Sequence, residues 1–391
     1  MAESGRLRVV VLGYIVRGPL GGLAWHHLQY VMGLAGLGHD VYFLEDSGDY
    51  PSCYDPRRDV TGVNPEYGLE FAAETFRRVD LDDRWAYHDS HAGTWLGPAA
   101  ARIDEICSGT EVVLNISGIN PIRPCLEHVP SRVLIDTDPA FAQIRHLTDP
   151  RVRDLALQHN GFFSFAGNIG NAQCAIPDDG LPWRPTRQPV VLDAWPVTPG
   201  PRDGALSTVM QWDSYPALEF GGHSYGMKSE SFQEYLGLPR ESSESFELAL
   251  GSPSAPRSLL EKKGWRLLDP RVPTKDPWTY QGYLQASKAE FGVAKHGYVA
   301  SRSGWFSERT CAYLASGRPA IVQDTGFTDW LPTGLGLMAF SSREEAMAGI
   351  DVLNQNYPEH CRAARELVGD YFEAGKVLTE LLDQAGQSAP F

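Results

Sequence analysis

Apolar residues fall along the chain in short continuous runs separated by stretches of helical periodicity, the pattern of buried parallel strands joined by amphipathic helices. Residues 8–13 form the first such run. A glycine-rich turn, Gly18-Pro19-Leu20-Gly21-Gly22, follows, and over residues 23–37 apolar residues recur at helical spacing. Gly38 stands where a helix C-cap belongs, and residues 41–44 read as the next strand. This strand–turn–helix–strand unit predicts a parallel, right-handed crossover.

Residues 48–92 are rich in Asp, Pro, Tyr and Arg and read as an insertion with one helix near 69–79. A helix at 96–107 is expected next, then strands at 112–116 and 132–136, the latter ending in Thr137-Asp138-Pro139. Further helix and strand lead to strands at 162–165 and 189–192. Trp195-Pro196-Val197-Thr198-Pro199-Gly200-Pro201 is the clearest linker in the chain. Beyond it strands are expected at 206–211, 246–250, 265–268, 290–294, 320–323 and 335–340. Helices fall near 229–236, 258–263, 277–287 and 306–316, and three more close the chain. Alternation on both sides of a linker predicts an α/β protein of two Rossmann-like, doubly wound domains, 1–197 and 203–370, facing a central cleft.

With 42% hydrophobic and 21% charged residues the chain can bury a large core. Its formal charge of −15 argues against nucleic acid or an anionic membrane as the main partner, while leaving room for a local cationic pocket. Six scattered cysteines without a C-x-x-C pair give no metal knuckle or disulfide framework, and no metal site is expected. No apolar stretch is long enough to span a bilayer, and residues 9–16 read as a strand rather than a signal peptide, so a cytoplasmic location is expected.

In doubly wound sheets ligands bind beyond the carboxyl ends of the strands. Ser303-Gly304-Trp305-Phe306-Ser307-Glu308 reads as a strand end at which Gly304 opens a helix, whose free N–H groups can hold a diphosphate. Glu308 can then accept from a ribose hydroxyl; alternatively it is an ordinary first-turn acid, with Gly317 the C-cap of the same helix. Gly21 and Gly22 let backbone approach a ligand closely. Neither G-x-x-x-x-G-K-S/T nor G-x-G-x-x-G is present, which disfavours a simple ATP or NAD enzyme. His26 and His27 begin the following helix, and either can act as general base or stay structural. Asp136 and Asp138 flank a strand end as a base or its orienting group, with helix N-cap the competing role for Asp138. Tyr50, Tyr54, Tyr67, Trp85, Tyr87 and Trp95 of the insertion line an acceptor pocket or pack the insertion down.

Tyr313-Leu314-Ala315-Ser316-Gly317-Arg318-Pro319-Ala320-Ile321-Val322 resembles the donor-site segment of GT-B glycosyltransferases, where a helix ends in a small-Gly-x-Pro turn and feeds a strand. Residues 10–44, with the Gly-Gly loop and the ending Leu37-Gly38-His39-Asp40-Val41, resemble the same enzymes' N-terminal unit. The likeness departs at Ala312, where the family usually carries an acid; Glu308 lies four residues earlier on the same helix face. The resemblance implies a basic residue on the diphosphate, here Lys228 of Tyr225-Gly226-Met227-Lys228 or Arg302, each of which also fits a solvated role. It places Asp324-Thr325-Gly326 opposite the transferred sugar, although Asp-Thr-Gly is also a common turn. It further implies that residues 371–391 cross back onto the first domain.

The reading is a metal-independent glycosyltransferase with no cofactor beyond its nucleotide-sugar co-substrate. It would move a hexose, glucose by default, from a UDP-sugar to a hydroxyl of a small acceptor such as a natural product or nucleoside. The donor would bind through Lys228, Arg302, Ser303, Gly304, Trp305, Glu308, Asp324, Thr325 and Gly326, with Gly21 and Gly22 opposite. His26, His27, Asp136 and Asp138 would supply the acid–base chemistry. Two alternatives stand beside it: a nucleotide-sugar epimerase of the same fold, and a two-domain binding protein without chemistry.

Overall fold

The first apolar run becomes a central strand because neighbours on both edges and helices on both faces remove it from water, and its valines at 9–11 have no exposed surface. The computed structural model describes residues 5–386; the outermost parts of the expected domain ranges, 1–4 and 387–391, lie outside them. In the first half β1 (Arg8–Leu12), α1 (Gly21–Gly36) and β2 (Asp40–Asp46) lead to a hairpin of β3 (Cys53–Asp55) and β4 (Val60–Gly62). There follow α2 (Glu66–Arg77), β5 (Trp85–Asp89), β6 (Thr94–Leu96), α3 (Ile103–Ser108), β7 (Val112–Ile116) and β8 (Ser131–Asp136). α4 (Phe141–Thr148), α5 (Pro150–Ala156), β9 (Gly161–Ser164) and β10 (Arg184–Pro185) complete this unit. Its sheet runs β10-β9-β8-β7-β1-β2-β5-β6 and is parallel apart from the β5–β6 pair.

The second unit comprises β11 (Leu206–Gln211), a hairpin of β12 (Leu218–Phe220) and β13 (His223–Tyr225), α6 (Lys228–Ser231), β14 (Phe246–Gly251) and α7 (Arg257–Lys262). β15 (Arg266–Leu268), α8 (Pro277–Ala286), β16 (Ala289–Gly292), α9 (His296–Ala300), α10 (Glu308–Ala315), β17 (Ala320–Gln323) and β18 (Leu337–Phe340) follow. Its parallel sheet runs β15-β14-β11-β16-β17-β18. The chain ends in α11 (Arg343–Gln355), α12 (Tyr357–Tyr371) and α13 (Ala374–Gly386). α13 packs on α1, so tightly that a Cβ on Gly33 would lie 2.6 Å from Leu378 Cδ1. Among the described residues no helix is long and apolar enough to cross a membrane.

Several expected elements differ. The tract 48–92 is not wholly an insertion: β5 joins the main sheet beside β2, and its Trp85, Ala86 and Tyr87 are buried despite their polar surroundings. The helix expected at 96–107 starts only at Ile103, because β6 ends at Leu96 and Gly97 turns the chain with φ 97°. Residues 189–192 form no strand; Val190 makes one bridge to Glu373. The segment 229–236 splits into α6 and a 3₁₀ turn, Phe232–Tyr235.

Strand order reverses between β1 and β7 in one sheet and between β11 and β16 in the other, the places where such sheets open a crevice. Two junctions hold these crevices face to face. On one side Trp25 of α1 donates from Nε1 to the Pro277 carbonyl at 2.6 Å and packs against Trp195. On the other, Phe141 and Ile144 of α4 share a core with Tyr225, Met227 and Tyr298.

Candidate functional site

A cleft of about 1480 Å³ lies between the units, lined by residues that follow the strand ends. Tyr14, Ser117 and Asp136–Asp138 come from the first sheet; Gln211, Asp213, Gly251, Leu268 and Lys295 come from the second. A volume of this order holds a ligand the size of a nucleotide sugar with room for an acceptor.

On the second-unit wall α6 begins with Lys228 and α10 with Glu308. Neither side chain has a hydrogen bond or ion-pair partner among the described residues. Burial, then the nearby Arg309 and Lys295 cations, hold Lys228 well below the usual lysine range, against the pull of Glu290 and Glu308. Trp305 lines the same wall and donates from Nε1 to the Thr137 carbonyl of the first unit at 3.2 Å.

On the first-unit wall the two histidines separate. His27 is fully buried, with Nδ1 2.8 Å from the Leu23 carbonyl and Nε2 accepting from the Tyr14 amide at 3.3 Å. Both ring nitrogens are thus spoken for, and burial holds its pKa well below the usual value, which leaves His27 no free nitrogen facing the cleft. His26 lines the cleft and has no hydrogen-bond partner among the described residues. Burial pushes its pKa down and Glu308 pulls it partly back.

Asp136 lines the cleft too, but its oxygens accept from the Asp138 amide (2.8 Å), Gln143 (3.1 Å) and Ser164 (2.7 Å). Burial raises its pKa against those bonds. Asp138 does not cap a helix, because the N-cap of α4 is Ala140. Its carboxylate instead accepts from Lys295 Nζ (2.7 Å) and Tyr298 (2.5 Å), and from Tyr215.

The remaining predicted residues lie either at the contact with Asn168 of the first unit or in turns within the second. Gly304 does not open a helix: α10 is capped by Ser307, and Gly304 has φ 70°. A Cβ on Gly304 would come 2.8 Å from the Asn168 amide nitrogen, and one on Gly326 2.8 Å from Asn168 Nδ2. That amide donates to the Arg302 and Gly326 carbonyls at 3.1 and 2.9 Å. Arg302 pairs with Asp329 at 3.0 Å, Ser303 is buried, and Thr325 donates to the Trp305 carbonyl. Asp324 accepts from the Gly326 amide and the Thr328 hydroxyl, the turn role. None of Arg302, Ser303, Gly304, Asp324, Thr325 and Gly326 lines the cleft. Gly22 does; Gly21 instead donates its amide to the Thr274 carbonyl at 2.7 Å, and a Cβ there would meet the Asp276 carbonyl at 2.3 Å.

Sequence reading missed the group that shapes the first glycine loop. Glu45, buried at the end of β2, accepts from the amides of Ile15, Val16 and Arg17, each at 2.7 Å. It also missed Arg309 and Lys295 on the cleft wall. Among the described residues no group of three or more His, Cys, Asp or Glu is placed to hold a metal ion.

No family model and no curated protein matches the chain by sequence. Solved structures do match. An α-glucosyltransferase in complex with UDP is similar with TM-score 0.60 at 9% identity, over 97% of this chain and 100% of that one. An α-glucosyltransferase with UDP and a 13-mer DNA containing an HMU base reaches 0.58 at 9%, over 98% and 100%. Sucrose-phosphate synthase from Thermosynechococcus elongatus reaches 0.53 at 11% identity, over 97% of this chain and 98% of that one. Two α/β sheets of eight and six strands, parallel apart from the β5–β6 pair and facing one cleft, with these neighbours along nearly the whole length, make this a chain of the GT-B fold.

Proposed function

We propose that the protein is a glycosyltransferase that moves a hexose from a UDP-sugar to a hydroxyl of a small acceptor. The observation that carries this reading is the unpaired Lys228 and Glu308 on one wall of the cleft, opposite His26 on the other. Lys228 neutralises the leaving diphosphate, whose double negative charge restores the ammonium form that burial disfavours. Glu308 accepts from donor hydroxyls in place of the acid missing at Ala312. His26, neutral at pH 7, takes the acceptor proton, while Asp136 is a positioning group fixed by its hydrogen bonds.

A formal charge of −15 supports a small acceptor over a nucleic acid. The test is turnover: UDP release from UDP-glucose and related UDP-hexoses is followed with a library of hydroxylated small molecules, with duplex DNA as a separate arm. Acceptor-dependent release with a small molecule supports the reading, and release with DNA alone overturns its acceptor half. Nucleotide binding without any turnover returns the chain to a binding role.

A further inference from the structure

Arg309 lies one residue past Glu308 in the first turn of α10 and was not among the expected site residues. Its guanidinium is held on two sides. Nε donates to Glu290 Oε1 at 2.6 Å, and Nη1 donates to the Val209 carbonyl at 3.0 Å. Glu290 comes from β16 and has no exposed surface, and its other oxygen, Oε2, has no partner. A carboxylate buried this completely is tolerated when a cation neutralises it, and the fork geometry of arginine fixes that cation in one plane. Nη2 has no partner among the described residues, and Arg309 lines the cleft beside Lys228. Two cations therefore share one stretch of wall, and Arg309 disfavours the charged form of Lys228 while Glu290 and Glu308 partly favour it.

We propose that Arg309, aimed by the buried Glu290, is the second phosphate-binding cation of this cleft, and that it and Lys228 together select a ligand carrying a compact dianion such as a diphosphate. This deepens the donor reading above and rests on it. It also gives a substitute for the glycine segment at 303–304, which the structure assigns to the contact with Asn168. Arg309 binds; Glu290 is a positioning residue that touches no ligand.

The test compares ligands that differ only in the anion. UDP, uridine and inorganic pyrophosphate are titrated calorimetrically into wild type, R309K, E290Q and the double variant R309Q/E290Q. The double variant removes both charges, so no buried carboxylate is left unpaired if it folds. Circular dichroism and the thermal midpoint establish folding, and R309K supplies a second, charge-preserving variant. The double variant should lose roughly 10- to 100-fold in UDP and pyrophosphate affinity, with uridine binding unchanged. R309K and E290Q should lie between it and wild type, because the charge remains without its aim.

UDP and pyrophosphate binding that is equal in wild type, R309K and the folded double variant overturns the proposal and leaves the donor reading standing. Pyrophosphate binding to wild type without UDP binding, lost in the double variant, leaves the anion site standing and overturns the nucleotide. Wild type that binds neither anion overturns both.

Discussion

Lys295 of the second unit donates to Asp138 Oδ1 of the first at 2.7 Å, and Tyr298 donates to the same oxygen at 2.5 Å. This carboxylate ties the two units together on one side of the cleft. Burial alone would raise its pKa, but Lys295, Arg145 and the hydrogen bonds outweigh that and hold it below the usual carboxylate value. A depressed folded-state pKa stabilises the protein above the unfolded value, about 3.9, and that stability is lost as pH falls through the folded value.

Asp138→Asn should therefore cost about 3 kcal/mol at pH 7, read as a lower denaturant midpoint. The gap between wild type and variant should close only below about pH 4. A gap that stays constant down to pH 3 contradicts the ion-pair account.

The two adjacent histidines should part company on mutation. His26→Ala is expected to lower kcat roughly 100-fold or more with little change in thermal midpoint. His27→Ala removes a buried ring bonded at both nitrogens and should cost about 3 kcal/mol of stability, with kcat largely kept at low temperature. Steady-state kinetics and thermal melts on both variants decide it, and the reverse pattern contradicts the assignment.

On the proposed base role His26 must be neutral to accept a proton, so kcat/KM should rise with pH through an apparent pKa below the ordinary histidine value of about 6.5. Glu308 raises the His26 pKa, so Glu308→Gln should move that acid limb to still lower pH. An acid limb in Glu308→Gln at or above the wild-type position would show that the two groups do not interact.

Gly304→Ala should destabilise by about 2 kcal/mol, because the residue has φ 70° and a Cβ there would press on Asn168. UDP affinity in the folded variant should stay within about threefold of wild type, since Gly304 is off the cleft wall. Calorimetric UDP titration and a thermal melt measure both. A variant of native stability that has lost UDP binding would restore Gly304 to the phosphate site.

These cases show where sequence was informative. The β1–α1–β2 unit was legible because its signals are local: an apolar run, helical spacing, and Gly38 at φ 89° just after the C-cap Leu37. β5 was not, since Trp85-Ala86-Tyr87 becomes a strand only through pairing with β2, 42 residues away along the chain. The glycines at 304 and 326 read as a helix start at a diphosphate and as a loop facing the sugar; both have positive φ in the structure, but a glycine states that something comes close without stating what. Here it is Asn168, 136 residues before Gly304. Arg309 was hidden for the same reason, because its aim depends on Glu290 in another element.

Whether the cleft takes a nucleotide sugar with Glu308 on its wall is decided by a thermal-shift panel of UDP, dTDP, GDP, ADP and their glucose adducts on wild type and Glu308→Ala. A ligand at about 100 times its Kd should stabilise the protein by roughly 2.7 kcal/mol. A clear shift with UDP and UDP-glucose, lost or much reduced in Glu308→Ala, is expected. No shift with any nucleotide, or one that Glu308→Ala leaves intact, would contradict it.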